Sequence, residues 1–204
     1  SLKYKNKKYE IDESLNICIL SKDINYVDDF LKKIAGINKS DVLLDGINVY
    51  DNEDYFKNRI YIDNTKSYIN TLNSSKIEEL LLNEYLKVFN KEEFDNLVKK
   101  CNLRFNYNFL KRNRFDNLGK SLVNNIFCLS LMNFRIIYKA FNNINDDIYF
   151  DYISFIKDEY RNKKNNLFGD CISNIKYYKD LVDKIIVLNN KLFILDAKSN
   201  LLIV

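Results

Sequence analysis

The spacing of apolar residues changes along the chain and divides it into predicted helices and strands. In the segment "NYVDDFLKKIAG" the apolar residues recur at helical spacing, which predicts an amphipathic helix that ends at Gly36. The residues on its apolar face are Val27, Phe30, Leu31 and Ile34. The next segment, "DVLLDGINVY", places Asp45 and Gly46 between two apolar runs, which predicts a tight β-hairpin.

The same two periodicities recur through the rest of the chain. Strands are predicted at residues 2–9 and 15–20 and in "NRIYIDN", "FRIIYKAF", "NLFGDCI" and "DKIIVLNNKLFIL", the last holding two strands around Asn189 and Asn190. Helices are predicted in "SKIEELLLNEYLKVF", "KEEFDNLVKKCNL", "GKSLVNNIFCLSLMN", "FDYISFIKDEYRNK" and "KYYKDLV". The later alternation of strands and helices implies parallel strands with crossover helices, and the early hairpin implies an antiparallel portion. Residues 65–112 look like a helical insertion.

The composition is typical of one globular domain. The 204 residues are 47% hydrophobic and 29% charged, so the chain can bury a core and keep a charged surface. The net charge of +4 is spread along the chain, so no nucleic-acid surface is indicated. No apolar run approaches the roughly 20 residues of a membrane-spanning helix, and the start "SLKYKNKKYE" lacks the apolar core of a signal peptide. We therefore expect a cytoplasmic protein.

Histidine is absent from the chain, which removes two classes of functional site. A histidine general base and a histidine-ligated metal are both excluded. The four cysteines lie far apart beside apolar residues and form no Cys-x-x-Cys pair, so we expect buried thiols in a reducing compartment rather than a metal or redox site. They are Cys18, Cys101, Cys128 and Cys171.

Four segments, in order, resemble the nucleotide-binding domain of ABC transporters over about residues 2–195. "LKKIAGI" is similar to the helix after the phosphate loop, and "DVLLDGINV" is similar to the hairpin "G-x-I-x-L-D-G". "LMNFRIIYKAFNNIND" is similar to "N-P-K-L-L-I-L-D-E-P-F-N-N-L-D", and "LVDKIIVLNNKLFIL" to "L-C-D-R-V-I-I-L-x-x-G-K-I". The resemblance implies a single α/β domain over residues 1–204. We expect an ABC-type P-loop NTPase-like core with a mostly parallel sheet, an antiparallel β subdomain, and a helical subdomain at about residues 65–130.

The resemblance also implies that the phosphate loop has lost its chemical residues. Such a loop binds phosphate because glycines let consecutive N–H groups point at it, a lysine neutralises charge and a hydroxyl holds Mg²⁺. The glycine positions fall on Ser21, Ile24 and Tyr26, the lysine position on Val27, and the next pair on Asp28 and Asp29. Carboxylates at a helix N-terminus suit the helix dipole but repel phosphate. We therefore expect Asp28 and Asp29 to cap the helix and to exclude a triphosphate.

The other chemical motifs of the family depart from their pattern as well. The carboxylates that hold Mg²⁺ and activate water align with Tyr138 and Lys139, and neither residue can do this. The signature loop aligns with Phe115, Asp116 and Asn117, the glutamine loop with Asn64, and the switch histidine with Ser173 or Asn174. Tyr4 aligns with the aromatic residue that stacks on adenine, although a tyrosine in an edge strand is usually a packing residue. The resemblance therefore implies a pseudo-ATPase with no catalytic residue, cofactor or metal.

Three functions are open to such a protein. The first is a non-hydrolysing subunit of an ABC transporter-like complex. It would pair with an active ATPase subunit, a membrane permease or both, and would lie on the inner face of the membrane through the permease. Docking would use about residues 64–68 and the helices of 76–112. The second is a soluble scaffold, homodimeric through the old nucleotide face, with Tyr61, Tyr177 and Tyr178 as candidate contact residues. The third is an RNA or ribosome binder using the basic patch "LKRNRF" at residues 110–115, although such a patch is more often a solvated helix end.

Overall fold

The computed structural model describes residues 2–4, 7–9, 11–44, 46–50, 52–66, 89–105, 117–142, 146–188 and 192–196. The chain forms two compact units. The sheet unit comprises Ser1–Asp63, Asn133–Ala140 and Lys157–Val204, and the helical unit comprises Asn64–Met132 and Phe141–Ile156. Within the described part of the chain, no helix is both long enough and apolar enough to cross a bilayer.

A six-stranded sheet is the main element of the sheet unit. Its strands in spatial order are β10 (Leu192–Asp196), β9 (Lys184–Leu188), β3 (Asn16–Ser21), β8 (Asn166–Cys171), β7 (Phe134–Tyr138) and β6 (Arg59–Asp63). β10 runs antiparallel to β9, and every other neighbouring pair is parallel. The strands β3 and β7 are buried along their whole length, as expected for parallel strands covered on both faces. The predicted mostly parallel α/β fold is confirmed.

A second, antiparallel sheet of four short strands belongs to the same unit. Its order is β2 (Lys7–Tyr9), β1 (Leu2–Tyr4), β4 (Leu43–Leu44) and β5 (Ile47–Asn48). The predicted Asp-Gly hairpin is confirmed, because Leu44 pairs with Ile47 across the turn and Gly46 has φ 86°, a value that suits glycine. The single strand predicted over residues 2–9 is wrong. The chain turns back after Tyr4, which pairs with Lys7.

Helix α1 (Ile24–Ile34) follows β3, and its four predicted face residues are all buried. The helix ends in a Schellman motif centred on Gly36, which has φ 76°. The Gly36 N–H donates to the Lys33 carbonyl at 3.1 Å, and the Ile37 N–H donates to the Lys32 carbonyl at 2.9 Å. The predicted stop at Gly36 is therefore confirmed, because only a glycine adopts this left-handed conformation without strain.

The structure describes five further α-helices: α2 (Glu53–Lys57), α3 (Lys91–Phe105), α4 (Asn117–Leu129), α5 (Asp146–Asn162) and α6 (Ile175–Tyr178). The predicted helix in "KEEFDNLVKKCNL" is confirmed as α3, and its apolar face is buried at Phe94, Leu97, Val98 and Cys101. The predicted helix in "SKIEELLLNEYLKVF" lies outside the described residues except for Phe89. In the helical unit the Phe89 ring packs against Phe94 at a centroid distance of 5.5 Å.

Candidate functional site

The candidate site lies at the carboxyl ends of four neighbouring strands of the six-stranded sheet. Ser21 at the end of β3 pairs with Cys171 of β8, and Tyr138 at the end of β7 pairs with Gly169 of β8 and Asp63 of β6. Ligands of open α/β sheets bind outside the carboxyl ends of the strands. We call the ends of β3, β6, β7 and β8, with the residues that directly follow them, the carboxyl edge.

The connection between β3 and α1 is only two residues long, Lys22 and Asp23. Asp23 is the N-cap of α1, and its carboxylate accepts hydrogen bonds from the backbone N–H groups of Asn25 and Tyr26 at 3.0 and 3.4 Å. The Asp23 N–H in turn donates to the Ser21 hydroxyl at 3.2 Å. Two N–H groups at the start of the helix therefore point at a carboxylate of the chain itself.

This connection is too short to wrap around a phosphate. Ile24 and Tyr26, aligned with two glycines of the phosphate loop, lie inside α1, and Ser21, aligned with the third, is the last residue of β3. A phosphate-binding loop presents several consecutive backbone N–H groups to its ligand. In this chain the corresponding backbone is the end of a strand, a two-residue connection and the first turn of a helix.

Asp28 and Asp29 do not cap α1, and this prediction is wrong. Both residues lie in the second turn, because the helix begins at Ile24. Asp28 pairs with Lys32 at 2.5 Å, and Asp29 pairs with Lys33. Pairs at this helical spacing contribute about 0.3–0.5 kcal/mol each. The two carboxylates are therefore balanced by lysines one turn further along the helix.

Neighbouring elements also hold these two carboxylates. The Tyr61 hydroxyl of β6 donates to Asp28 at 2.5 Å, and the Asn38 amide donates to Asp29 at 3.0 Å. Partial burial raises the pKa of Asp29, but the hydrogen bonds from Lys33 and Asn38 outweigh this effect and hold its pKa below the ordinary value. Both aspartates thus bind residues outside α1 as well as the lysines of the helix itself.

Val27, at the lysine position of the phosphate loop, points into the core. Its side chain is fully buried, and it packs toward β8 at Gly169. A Cβ added to Gly169 would lie 2.7 Å from the Val27 Cγ1 atom, so the glycine permits a close approach of α1 to β8. A lysine in place of Val27 would bury its ammonium beneath the helix instead of presenting it to a ligand.

Tyr138 and Lys139 stand where the resemblance places the magnesium-binding and water-activating carboxylates. Burial, followed by the nearby carboxylates of Asp28, Asp63 and Asp170, raises the pKa of Tyr138 to about 12, so its hydroxyl stays protonated at neutral pH. The Lys139 ammonium lies 5.4 Å from the centre of the Tyr138 ring. A neutral phenol and an ammonium group do not bind Mg²⁺ or accept a proton from water.

Asp170 belongs to the carboxyl edge and was missed by sequence reasoning. It is 1% exposed and accepts hydrogen bonds from the Cys171 N–H at 2.7 Å, the Asn174 amide at 2.9 Å and the Tyr178 hydroxyl at 2.8 Å. Burial raises its pKa above the ordinary value, against the lowering effect of these hydrogen bonds and of Lys139. A signal for it was present, since the acid directly follows the apolar run "NLFG" at the end of a predicted parallel strand.

Most of the other predicted residues of the sheet unit follow β8 in the sequence. Ser173 is exposed in a 3-10 turn, Ile172–Asn174, that leads into α6, and Asn174 is half-buried. The prediction of Tyr178 as a contact residue is wrong, because its side chain is fully buried and its ring packs against Phe168 at a centroid distance of 5.6 Å. Tyr61 and Tyr177 are half-buried.

The remaining predicted positions are spread over other elements. Asn64 follows β6 and belongs to the helical unit, Asn117 is the first residue of α4, and Tyr4 is the last residue of β1. Phe115, Asp116 and the patch at 110–115 lie outside the described residues. Among the residues that are described, no group of three or more Cys, Asp or Glu could hold a metal ion. Cys18, Cys101 and Cys128 are buried, whereas Cys171 is only partly buried.

Comparison with known proteins identifies the fold. No protein-family sequence model and no curated protein sequence matches the chain. A dimeric ATP-binding cassette, solved in a post-hydrolysis state bound to ADP and phosphate, matches with a TM-score of 0.66 and 14% identity over 97% of this chain and 91% of that chain. A second dimeric structure of the same protein, described as a bacterial ABC transporter cassette, matches with a TM-score of 0.64 and 15% identity over 91% of this chain and 85% of that chain.

An ATP-binding subunit of an ABC transporter also matches, with a TM-score of 0.62 and 14% identity over 87% of this chain and 75% of that chain. These likenesses extend over both units of the chain rather than over the sheet alone. The expected fold, that of an ABC-type ATP-binding cassette, is therefore confirmed.

Proposed function

We propose that this chain, with its ATP-binding-cassette fold, is a non-hydrolysing subunit of an ABC transporter-like complex. The observation that carries the proposal is the Asp23 carboxylate at the start of α1, which accepts the N–H groups of Asn25 and Tyr26. A phosphate would need the same groups. Two unit charges 4 Å apart repel by roughly 4 kcal/mol at an effective dielectric constant of 20, and displacing the cap costs about 1 kcal/mol more.

The opposite side of the carboxyl edge supports the same proposal. Hydrolysis of ATP needs carboxylates to hold Mg²⁺ and a group that orients the attacking water. Tyr138 keeps its proton at neutral pH, and Lys139 carries a positive charge. Asp170 is a carboxylate of this edge, but it already accepts three hydrogen bonds from the residues that follow it.

A protein partner completes the proposal. The similar structures include dimeric cassettes and a transporter subunit. We infer by analogy that this chain pairs with an active ATPase subunit, with a membrane permease, or with both. It would then lie in the cytoplasm and reach the membrane only through that partner.

Nucleotide binding is tested by isothermal titration of the purified chain with Mg-ATP. We expect no heat of binding at sub-millimolar concentrations of Mg-ATP. We also expect no phosphate release when the chain and ATP are present in equal amounts. A micromolar dissociation constant would contradict the proposal. Phosphate release that persists unchanged in a Lys139→Ala and Asp170→Asn double variant would identify a contaminating ATPase, whereas release lost in that variant would show that this edge hydrolyses ATP.

The partner is tested by affinity purification from the native cell. We expect a stoichiometric complex that contains a permease or a cassette with an intact phosphate loop. Recovery of the chain alone, under conditions that preserve known transporter complexes of the same cell, would count against a transporter subunit. A stable homodimer of the purified chain, with no other component, would favour the scaffold alternative.

A further inference from the structure

Residues 172–178, which we call the post-β8 segment, consist of two short helices. The 3-10 turn Ile172–Asn174 has three residues, and α6 (Ile175–Tyr178) has four. Isolated helices shorter than about 12 residues are marginal in water, because the first turn fixes several backbone dihedrals for a single hydrogen bond. Contacts with other parts of the chain must therefore stabilise this segment.

Asp170, near the end of β8, makes such contacts through both of its carboxylate oxygens. Its Oδ1 atom accepts the Cys171 N–H at 2.7 Å and the Asn174 side-chain amide at 2.9 Å, and its Oδ2 atom accepts the Tyr178 hydroxyl at 2.8 Å. Asn174 and Tyr178 are four residues apart, which places them on the same side of a helical turn. One carboxylate thus binds the entry to the segment, its middle and its end.

α6 has no cap of its own and uses this contact instead. The N-cap residue of a helix usually accepts a backbone N–H group with its side-chain oxygen. Asn174 is the N-cap residue of α6, but within the described residues its side chain makes no capping bond and donates to Asp170. The conformation of α6 therefore depends on Asp170 rather than on a local cap.

Tyr178 ties the end of the segment to the sheet. Its side chain is fully buried, and its ring packs against Phe168 of β8 at a centroid distance of 5.6 Å. A buried hydroxyl without a hydrogen-bond partner is costly. Asp170 supplies that partner from the same face of β8 as Phe168, because alternate residues of a strand share a face. The ring and the hydroxyl of Tyr178 are therefore both held by β8.

We propose that Asp170 is a positioning residue that clasps the post-β8 segment to β8, so that the segment has one fixed conformation in the chain alone, with no ligand or partner bound. Asn174, one of the two residues that align with the switch histidine, is then part of the internal structure of the chain. The clasp acts within this chain and does not depend on the proposed function.

The test is hydrogen–deuterium exchange of backbone amides, followed by NMR, in the wild type and in variants of the purified chain. The reporter amides are those of Ile175 and Lys179, which donate to the carbonyls of Ile172 and Ile175 within the segment. Tyr178→Phe keeps the ring and removes the hydroxyl, and Asn174→Ala removes the side-chain amide. In each variant we expect both reporters to exchange about tenfold faster, because a hydrogen bond to a charged group is lost.

Two substitutions of Asp170 separate the hydrogen bonds from the charge. Asp170→Asn keeps an oxygen that accepts the Cys171 and Asn174 donors and gains an amide that can donate to the Tyr178 oxygen, so the reporters should stay protected. Asp170→Ala should expose them to faster exchange than either single donor variant does. If Asp170→Ala does not fold, Tyr178→Phe and Asn174→Ala still carry the test.

Tyr55→Phe is the matched control, because the buried Tyr55 hydroxyl donates to the Ile34 carbonyl at 2.6 Å elsewhere in the sheet unit. It should leave the exchange of both reporters unchanged. Unchanged exchange in both Tyr178→Phe and Asn174→Ala, or reporters that are unprotected in the wild type, would overturn the clasp. A failure of the proposed function would instead show as Mg-ATP binding to the wild-type chain.

Discussion

Gly169→Ala should force α1 away from β8, although alanine suits a strand better than glycine does. The added Cβ would lie closest to Leu31 Cδ1, 2.7 Å from Val27 Cγ1 and 3.0 Å from Leu31 Cγ, whereas ordinary van der Waals contacts begin at 3.4 Å. Both neighbours are fully buried, and a β-branched residue in a helix has one strongly preferred rotamer. Clearing Val27 alone therefore needs a movement of about 0.7 Å by its side chain or by the helix.

The expected loss of stability follows from two opposing effects. Overpacking a core typically costs about 1–3 kcal/mol. Replacing glycine in a strand recovers about 0.5–1 kcal/mol, because glycine loses more backbone freedom on folding. We expect a net loss of about 1–2 kcal/mol in the free energy of unfolding, equivalent to roughly 2–8 °C in Tm for a chain of this size.

The assay is chemical denaturation of Gly169→Ala, Val27→Ala and the double variant, followed by circular dichroism. If a clash with Val27 is the cause, the double variant should lose about 1 kcal/mol less free energy of unfolding than the two single variants lose together. Gly46→Ala is the control, because Gly46 has φ 86° and nothing lies within 4 Å of its added Cβ. Its loss should not couple to Val27→Ala. Strictly additive losses for Gly169→Ala and Val27→Ala would refute a clash with Val27.

Three further predictions test the carboxyl edge. Val27→Lys should destabilise the fold by several kcal/mol without creating Mg-ATP binding, because the ammonium would be buried. The control Asn25→Lys, at an exposed position, should change stability by less than about 0.5 kcal/mol. Melting curves measure stability and titration calorimetry measures binding, and a stable Val27→Lys variant that binds Mg-ATP would contradict the inward orientation of Val27. Asp23→Ala should lose about 1 kcal/mol and Asp23→Asn much less, since asparagine also caps a helix; equal losses in chemical denaturation would show that charge, not the hydrogen bonds, is what matters. Burial raises the pKa of Asp170 above its ordinary value of 3.8, so its contribution to stability is present below the unfolded pKa and is lost as pH rises through the folded pKa. Asp170→Asn should therefore gain stability relative to the wild type as the pH rises above 3.8, and parallel pH profiles of the two proteins would speak against this.

The sequence by itself determined the class of fold and the location of its main elements. The helical spacing of four apolar residues marked α1, and the Asp-Gly pair marked the β4–β5 hairpin. Apolar runs alternating with helices indicated the parallel sheet. These features are local, because the period of apolar residues reflects which side of each element is buried. The order of four weak segments then indicated the cassette fold, which the structural comparison confirms.

Only the tertiary structure decided which residues of the carboxyl edge cap α1, which are buried and which hydrogen-bond partners they have. The apolar pattern of α1 is compatible with a start at Ile24 or a few residues later, and this small difference moved the cap from Asp28 and Asp29 to Asp23. The burial of Asp170 depends on β3 and β7, which are distant from it in sequence but adjacent to β8 in the sheet. Periodicity along a chain shows which face of an element is buried, but the charges and hydrogen-bond partners around a group are set by its neighbours in space.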